Sequence, residues 1–334
     1  MRTNIIGCDN SNASFKAFGG RKVLCYTNVL QEVKTSNTSA LLRNKKDIFS
    51  VDGKQYTIGG NIGSGGKDES RYYSKQFKLE TQIALSQLVV GDVKEEFKII
   101  TGVPANLAER DDIIDKIKNN LIDNYEVTHN KVHKRFVISH VGVVSQPVGT
   151  LYYNLFDING NAKTNDKSVY SKNFLIIDIG FGTTDLVELS ASKGLGDNVT
   201  LTRAMSDYVS NLYKAIEYEY PESRLSSTEI TPYELDNMLI DNDILSLPRG
   251  DYKVGHIKES LQQEFATEIK SALGKHGYNF EKYHQIILTG GGSIILYKAL
   301  KEVFNNDKRV ILIDDPIMAN VKGFYTLAKQ SYRV

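Results

Sequence analysis

The stretch that decides the fold is Asp178-Ile179-Gly180-Phe181-Gly182-Thr183-Thr184-Asp185, which follows the apolar run Phe174-Leu175-Ile176-Ile177. A hydrophobic strand that ends on a carboxylate and turns through two glycines suits an anion. Glycine lets the backbone come close, successive N–H groups can point inward, and the threonine hydroxyls add donors. A strand-end carboxylate also suits hydrated Mg2+, which keeps several waters and takes one or two carboxylates plus phosphate oxygens. Without that chemistry, the octet is a glycine hairpin with a polar edge.

Working outward, a partial counterpart lies near the N-terminus. Asn4 to Cys8 reads as a buried strand, Asp9 ends it, and Phe15 to Phe18 returns antiparallel, with Lys16 on the return. By itself Asp9-Asn10-Ser11-Asn12-Ala13-Ser14-Phe15-Lys16 is an ordinary β-turn with a surface lysine. Two such hairpins, one per half, facing each other across a cleft, would be far more specific. Another hairpin is signalled by Asp52-Gly53 between Phe49-Ser50-Val51 and Gln55-Tyr56-Thr57-Ile58, with loops at Thr35 to Ser39 and Gly59 to Ser70, the latter read as mobile.

Periodicity then predicts a helix over Ser74 to Val90, a strand Phe97 to Gly102 and a helix Leu107 to Ile122. Strands near Tyr125 to Val127 and Lys134 to His140, a helix Val143 to Tyr153 and a polar loop Asp157 to Lys172 follow. The second half reads as a strand Val199 to Arg203 and helices Ser206 to Glu219, Thr231 to Leu245 and Val254 to Leu273. It closes with strands Gln285 to Leu288 and Val310 to Ile313 and a helix from Pro316.

The 334 residues carry 41 Lys+Arg against 40 Asp+Glu, a formal charge of +1, with 41% hydrophobic and 24% charged residues. That near-neutral balance disfavours a dedicated nucleic-acid coat or a general membrane binder. A chain above ~250–300 residues tends to split into more than one core, so two domains are expected. Two cysteines, Cys8 and Cys25, make no disulfide framework and point to a reducing cytoplasm. No signal peptide and no run of about 18 apolar residues is visible, so no membrane association is expected. His129 and His133 are the only histidines at i,i+4 spacing, without the carboxylate setting of a zinc site.

The ordered set of motifs resembles the actin-like ATPase superfamily. Asp9 to Lys16 matches its first phosphate loop, Val143 to Thr150 its first connecting helix, and Asp178 to Asp185 its second phosphate loop. Leu288 to Ser293 matches the adenosine motif and Ala319 to Gly323 the second connection. The resemblance implies an α/β, duplicated ribonuclease H-like, two-domain ATPase fold with a nucleotide cleft between the domains. It places domain I at about 1–165, with an insertion at about 30–75 and a returning helix at 318–334. Domain II is expected at about 166–317, with an insertion at about 220–253.

The same resemblance implies that Asp9 and Asp178 hold hydrated Mg2+, with Asp178 also near the attacking water. Ser11, Asn12, Lys16, Gly180, Gly182, Thr183 and Thr184 would hold the phosphates of ATP or GTP. Gly290, Gly291 and Gly292 would lie against ribose and α-phosphate, with Lys258 and Glu259 on the base side. The family usually has a glycine where this chain has Ser11, which alters the backbone approach and aims a hydroxyl at the phosphate. Gln146 matches the family's water-orienting Glu or Gln; a neutral amide positions water but is a poor base, so slow hydrolysis is expected.

Among relatives, a chaperone would need a substrate-binding domain after the ATPase, and a sugar kinase a second substrate site; neither is visible. Thr101-Gly102-Val103-Pro104-Ala105 and Ala319-Asn320-Val321-Lys322-Gly323 look most like plasmid-segregating actins of the ParM type. That resemblance implies head-to-tail filaments, driving plasmid DNA segregation through a DNA-binding adaptor rather than direct DNA contact. Arg43 to Arg71 and Thr231 to Gly250 are the expected filament contacts. A non-polymerising small-molecule kinase of the same fold is the alternative.

Overall fold

The computed structural model describes residues 2–11, 14–33, 47–59, 68–90, 93–190 and 192–332. The chain divides into two compact units, Met1–Lys167 with Met318–Val334, and Ser168–Ile317.

The first unit begins with β1 (Arg2–Asn10), β2 (Ser14–Phe18), β3 (Val23–Thr27), β4 (Leu30–Glu32), β5 (Phe49–Val51) and β6 (Lys54–Ile58). It continues through α1 (Lys75–Ser86), β7 (Glu95–Val103), α2 (Asp111–Leu121), β8 (Asp123–His129), β9 (Val132–Ser145) and α3 (Gln146–Leu155). Nine strands form one sheet in the order β3-β2-β1-β7-β9-β8-β5-β6-β4. β1 is antiparallel to β2 and parallel to β7, which in turn runs parallel to β9.

The second unit holds β10 (Asn173–Ile179), β11 (Thr184–Ser190), β12 (Gly194–Leu201), α4 (Met205–Glu219) and α5 (Pro232–Leu239). Then come β13 (Ile244–Leu247), β14 (Gly250–Lys253), α6 (Gly255–Lys275), β15 (Tyr283–Thr289), α7 (Gly291–Val303) and β16 (Val310–Leu312). Its sheet runs β12-β11-β10-β15-β16, with β10 antiparallel to β11 and parallel to β15. This five-strand order repeats that of β3-β2-β1-β7-β9, so the fold is a duplicated α/β unit.

The last helix, α8 (Ala319–Tyr332), belongs to the first unit. Strand alternation sends Ile6, Cys8, Phe97 and Ile99 into a core with α1 and α2. Ile5, Phe18 and Ile100 face the other way, against Met318, Val321, Phe324 and Ala328. There α8 lies close against α3 because both carry glycine at the crossing. A Cβ built on Gly323 would stand 1.7 Å from the Gly149 carbonyl oxygen, and one on Gly149 2.3 Å from that of Asn320.

The Asp52-Gly53 hairpin forms as expected, with φ of +50° and +78° at those residues, the signature of a tight primed turn. Several expectations need correction. Val143 and Val144 continue β9, paired with Thr101 and Gly102 of β7, and the helix starts only at Gln146, where Pro147 suits a first turn. The helix expected over Ser74 to Val90 is capped by the Ser74 side chain but ends at Ser86. The helix expected from Leu107 starts at Asp111, where Asp111 and Asp112 favour the positive end of its dipole.

The expected helix Thr231 to Leu245 is only α5, capped reciprocally by Thr231 and Glu234, and the β13–β14 hairpin follows it. His129 and His133 sit on β8 and β9 rather than on a helix, joined by a turn with positive φ at Asn130 and Lys131. Thr35 to Ser39, and residues 60–67 of the expected mobile loop, lie outside the described residues. Asp68 just beyond caps a short 3-10 helix, Glu69–Tyr73.

Candidate functional site

In the first unit the strand-end carboxylate is Asp9, directly opposite Lys16 in the β1–β2 register, so the two side chains share a face. Lys16 Nζ stands 3.9 Å from Asp9 Oδ2, and Gln146 Nε2 donates to Asp9 Oδ1 at 2.9 Å. Asp9 is 2% exposed. Burial raises its pKa, opposed by the Lys16 charge, the Gln146 hydrogen bond and the Arg71 charge. Gln146 reaches this point because Gly102 leaves it room: a Cβ there would lie 2.7 Å from Gln146 Cγ. The task of Gly102 shows only once β7 and α3 are neighbours.

Ser11 closes the turn on itself. Its hydroxyl donates to the Ser14 carbonyl at 2.8 Å, and its N–H reaches the same oxygen at 3.0 Å. Asn12 lies outside the described residues.

In the second unit, β10 and β11 are joined through residues 180–183, and Gly180 N–H donates to the Thr183 carbonyl at 2.9 Å. The turn is mounted on the start of α4: Met205 N–H donates to Gly180 O and Ser206 N–H to Phe181 O. Asp178 pairs in register with Asp185, which places two carboxylates side by side. Asp185 is 3% exposed. Its pKa is pushed up to about 7, mainly by burial, with the Asp178 charge adding to the rise and hydrogen bonds from Thr200 and Thr183 opposing it. Asp185 was absent from the expected site. Its signal was arithmetic, since a turn at 180–183 makes 178 and 185 partners.

Four expected contacts change. Thr184 pairs with Ile179, on the face opposite Asp178 and Asp185; it is fully buried, and its hydroxyl has no partner among the described residues. Register, not proximity in sequence, turns it away from a phosphate. Gly290 is buried with φ +82°, and a Cβ there would lie 2.5 Å from Asp178 Oδ1. Gly292 is buried, with Ile179 Cγ2 and Met205 Cγ 2.5 and 2.6 Å from a built Cβ. Both glycines therefore serve close packing against β10 and α4. Only Gly291 is exposed, at the first residue of α7, with nothing within 4 Å of a built Cβ.

Lys258 is the fourth: its ammonium donates to the carbonyls of Leu239 and Asn242 and to Asp243 Oδ1, at 2.7, 2.8 and 2.9 Å. All three donors are spent on the last residue of α5 and the loop after it. Glu259, on a different face of α6, pairs with Lys298 of α7 at 3.4 Å. Between α6 and α7 lies an open cavity of about 360 Å³ lined by Glu259, Gln262, Gln263, Lys298 and Glu302. Ile294 in the first turn of α7 is 47% exposed.

Among the described residues no group of three or more His, Cys, Asp or Glu is placed to cage a metal. Among the same residues no helix is long and apolar enough to cross a membrane.

Comparison with known proteins agrees with this architecture. Residues 7–149 match the family model for the N-terminal domain of actin-like proteins, and residues 176–302 match that for the C-terminal domain of the archaeal actin homologue MreB-like family. The first segment is thus similar to an actin-like N-terminal domain and the second to an MreB-like C-terminal domain, and the chain has a two-domain actin-like fold. No curated protein sequence matches it.

Among solved structures, the apo pSK41 ParM protein is similar with a TM-score of 0.75 at 18% identity, over 100% of this chain and 99% of that one. Ta0583, an archaeal actin homologue in complex with ADP, is similar at 0.75 and 17% identity, over 98% and 99%. A subunit of a 15-stranded ParM filament from Clostridium botulinum gives 0.73 at 17% identity, over 99% and 100%.

Proposed function

We propose that this chain is a nucleotide-dependent, filament-forming ATPase that binds ATP or GTP with Mg2+, polymerises head to tail and hydrolyses the nucleotide slowly. The observation that carries the reading is the meeting of Asp9, Lys16 and Gln146 from β1, β2 and α3. A cation for phosphate, a carboxylate for a hydrated metal and an amide for water meet there, the amide hydrogen-bonded to the carboxylate and the cation 3.9 Å from it. The second turn supplies Gly180, Gly182 and Thr183 for phosphate, with Asp178 and Asp185 beside them; Gly291 opens α7, whose N-terminus favours an anion.

Mg2+ would neutralise phosphate charge when bound, with Asp9 and Asp178 each suited to hold it through water. Gln146 gives one N–H to Asp9 and keeps its other N–H and its carbonyl oxygen to orient water. An amide takes no proton from that water, so hydrolysis is slow and serves as a timer. Ta0583 with ADP supports the nucleotide, and the Clostridium botulinum ParM filament supports self-association.

Arg43 to Arg71 and Thr231 to Gly250 are the proposed filament contacts. The second presents Met238, Ile240 and Ile244, each at least 40% exposed. A head-to-tail contact is heterologous and open-ended, so repetition gives a filament rather than a closed ring. We assign the filament to the cytoplasm and to plasmid DNA segregation through a DNA-bound adaptor, without direct DNA contact, in keeping with a net charge of +1.

Light scattering with Mg-ATP and Mg-GTP, with Mg-ADP as control and negative-stain microscopy of the same samples, tests the reading. Filaments above a critical concentration, with triphosphate only, are the expected result. Hydrolysis or phosphotransfer without polymer at any concentration would refute it in favour of a small-molecule kinase.

A further inference from the structure

Beneath the first turn lies a buried polar cluster that the reading above does not use. Arg71, on the 3-10 helix Glu69–Tyr73, sends Nη1 to Glu80 Oε2 at 3.1 Å. Its Nη2 donates to Asn10 Oδ1 at 3.0 Å and to the main-chain oxygen of Ser11 at 2.8 Å. Asn28, between β3 and β4, donates to the same Ser11 oxygen at 3.3 Å and to Glu80 Oε2 at 3.0 Å, and it also bonds Asn10 Oδ1. Gln76 holds the other Glu80 oxygen at 3.0 Å. The Asn10 amide donates to Phe77 O and Thr81 Oγ1 on α1.

Arg71 and Glu80 are 14% and 5% exposed on their side chains. Burying an ion pair costs desolvation that apolar residues of the same size avoid, so stability alone does not account for it. Its distinctive product is a fixed Ser11 carbonyl, two residues past Asp9, gripped by two side-chain donors. Anchoring that oxygen and Asn10 Oδ1 ties the end of β1, just past Asp9, to Glu80 on α1. The guanidinium fork is rigid and spans Glu80 and Ser11 together; an ammonium is a single point on a flexible stem.

We propose that Arg71 is a positioning residue for nucleotide phosphate: locked by Glu80, its guanidinium holds Asn10 and the Ser11 carbonyl and so sets the end of β1, where Asp9 faces Lys16. The proposal rests on the nucleotide reading of that turn. It also makes residues 68–73, which follow the inserted strands β4 to β6, part of the support of the phosphate site.

The test is calorimetric titration of Mg-ADP into wild type, Arg71→Ala, Arg71→Lys and the double variant Arg71→Ala/Glu80→Gln, with unfolding temperatures and hydrolysis kinetics on each. Arg71→Ala strands a buried carboxylate and loses stability. Glu80→Gln removes that charge, so the double variant regains unfolding temperature. It is nonetheless expected to bind Mg-ADP about tenfold weaker than wild type or worse, with the loss falling on KM more than on kcat. Arg71→Lys keeps a cation beside Glu80 and is expected to bind as weakly, which carries the test even if the double variant does not fold.

Wild-type affinity in a folded double variant or in Arg71→Lys would overturn the assignment and leave the cluster a purely structural one. Absence of Mg-ADP binding by wild type would overturn the nucleotide reading itself, and this proposal with it.

Discussion

Asp185 makes the stability of the free protein depend on pH in a direction opposite to that of most carboxylates. Its pKa, ordinarily 3.8, is pushed up to about 7 in the fold, chiefly by burial. Between those values the folded state keeps a proton that the unfolded state has released. The folded state therefore binds more protons, and stability falls as pH rises through this window. At about 1.36 kcal/mol per pH unit, the loss from pH 5 to pH 8 is about 2–3 kcal/mol, saturating above the folded pKa. Asp185→Asn has no proton to lose and keeps an oxygen for Thr200.

The expected outcome is a variant whose unfolding temperature gains on wild type by roughly 5–10 °C between pH 5 and pH 8, at about 2–4 °C per kcal/mol. The assay is thermal unfolding without nucleotide or divalent cation, in matched buffers across that range. A variant-minus-wild-type difference that does not change with pH, or that shrinks as pH rises, would show that Asp185 is ionised in the fold and would sink the argument. Because Asp178 stands beside it, the proton belongs to the pair, and Asp178→Asn is expected to lower the pH at which the loss saturates and so to shrink it.

Three further outcomes follow from positions already described. Gln146→Ala is expected to slow phosphate release by about a hundredfold with Mg-ADP affinity within about threefold, read by single-turnover hydrolysis and titration; unchanged hydrolysis would remove Gln146 from the chemistry. Gly323→Ala, whose new methyl would overlap the Gly149 carbonyl, is expected to cost about 3 kcal/mol or more in urea unfolding. Lys258→Ala is expected to destabilise the protein by about 1–3 kcal/mol while Mg-ADP affinity stays within about threefold. A large loss of affinity at full stability would instead put Lys258 at the nucleotide.

Much of the fold is written locally in the chain. Asp52-Gly53 announces its hairpin because only a few residue types take positive φ cheaply, and the apolar runs ending at Asp9 and Asp178 announce buried strands. What escaped depends on partners distant in sequence. β3 alternates between exposed and half-buried positions, without the apolar alternation that marks a strand, and exists because β2 offers it an edge. Val143 and Val144 look helical beside Pro147 until β7 pairs with them.

The site divides the same way. Asp9, Lys16 and Gln146 were named from motif order, and their contact with one another is a tertiary fact. Thr184 was misjudged because a strand's alternate residues face opposite ways, and the face is set by register. Lys258 and Glu259 were read together, although consecutive helical residues point about a quarter-turn apart or more and do not share a target.

The helix α8 imposes an order of manufacture. It covers the face of the first sheet formed by Ile5, Phe18 and Ile100, yet residues 318–334 leave the ribosome only after all of 168–317. At about 5–20 residues per second, the apolar face of β1 and β7 waits roughly 10–30 s for its cover. During that interval a nascent chain has a sheet with one side dressed and the other bare, so the first unit starts first and finishes last. A holding chaperone that recognises apolar strands has its best opportunity then, and slow codons across 168–317 would prolong it.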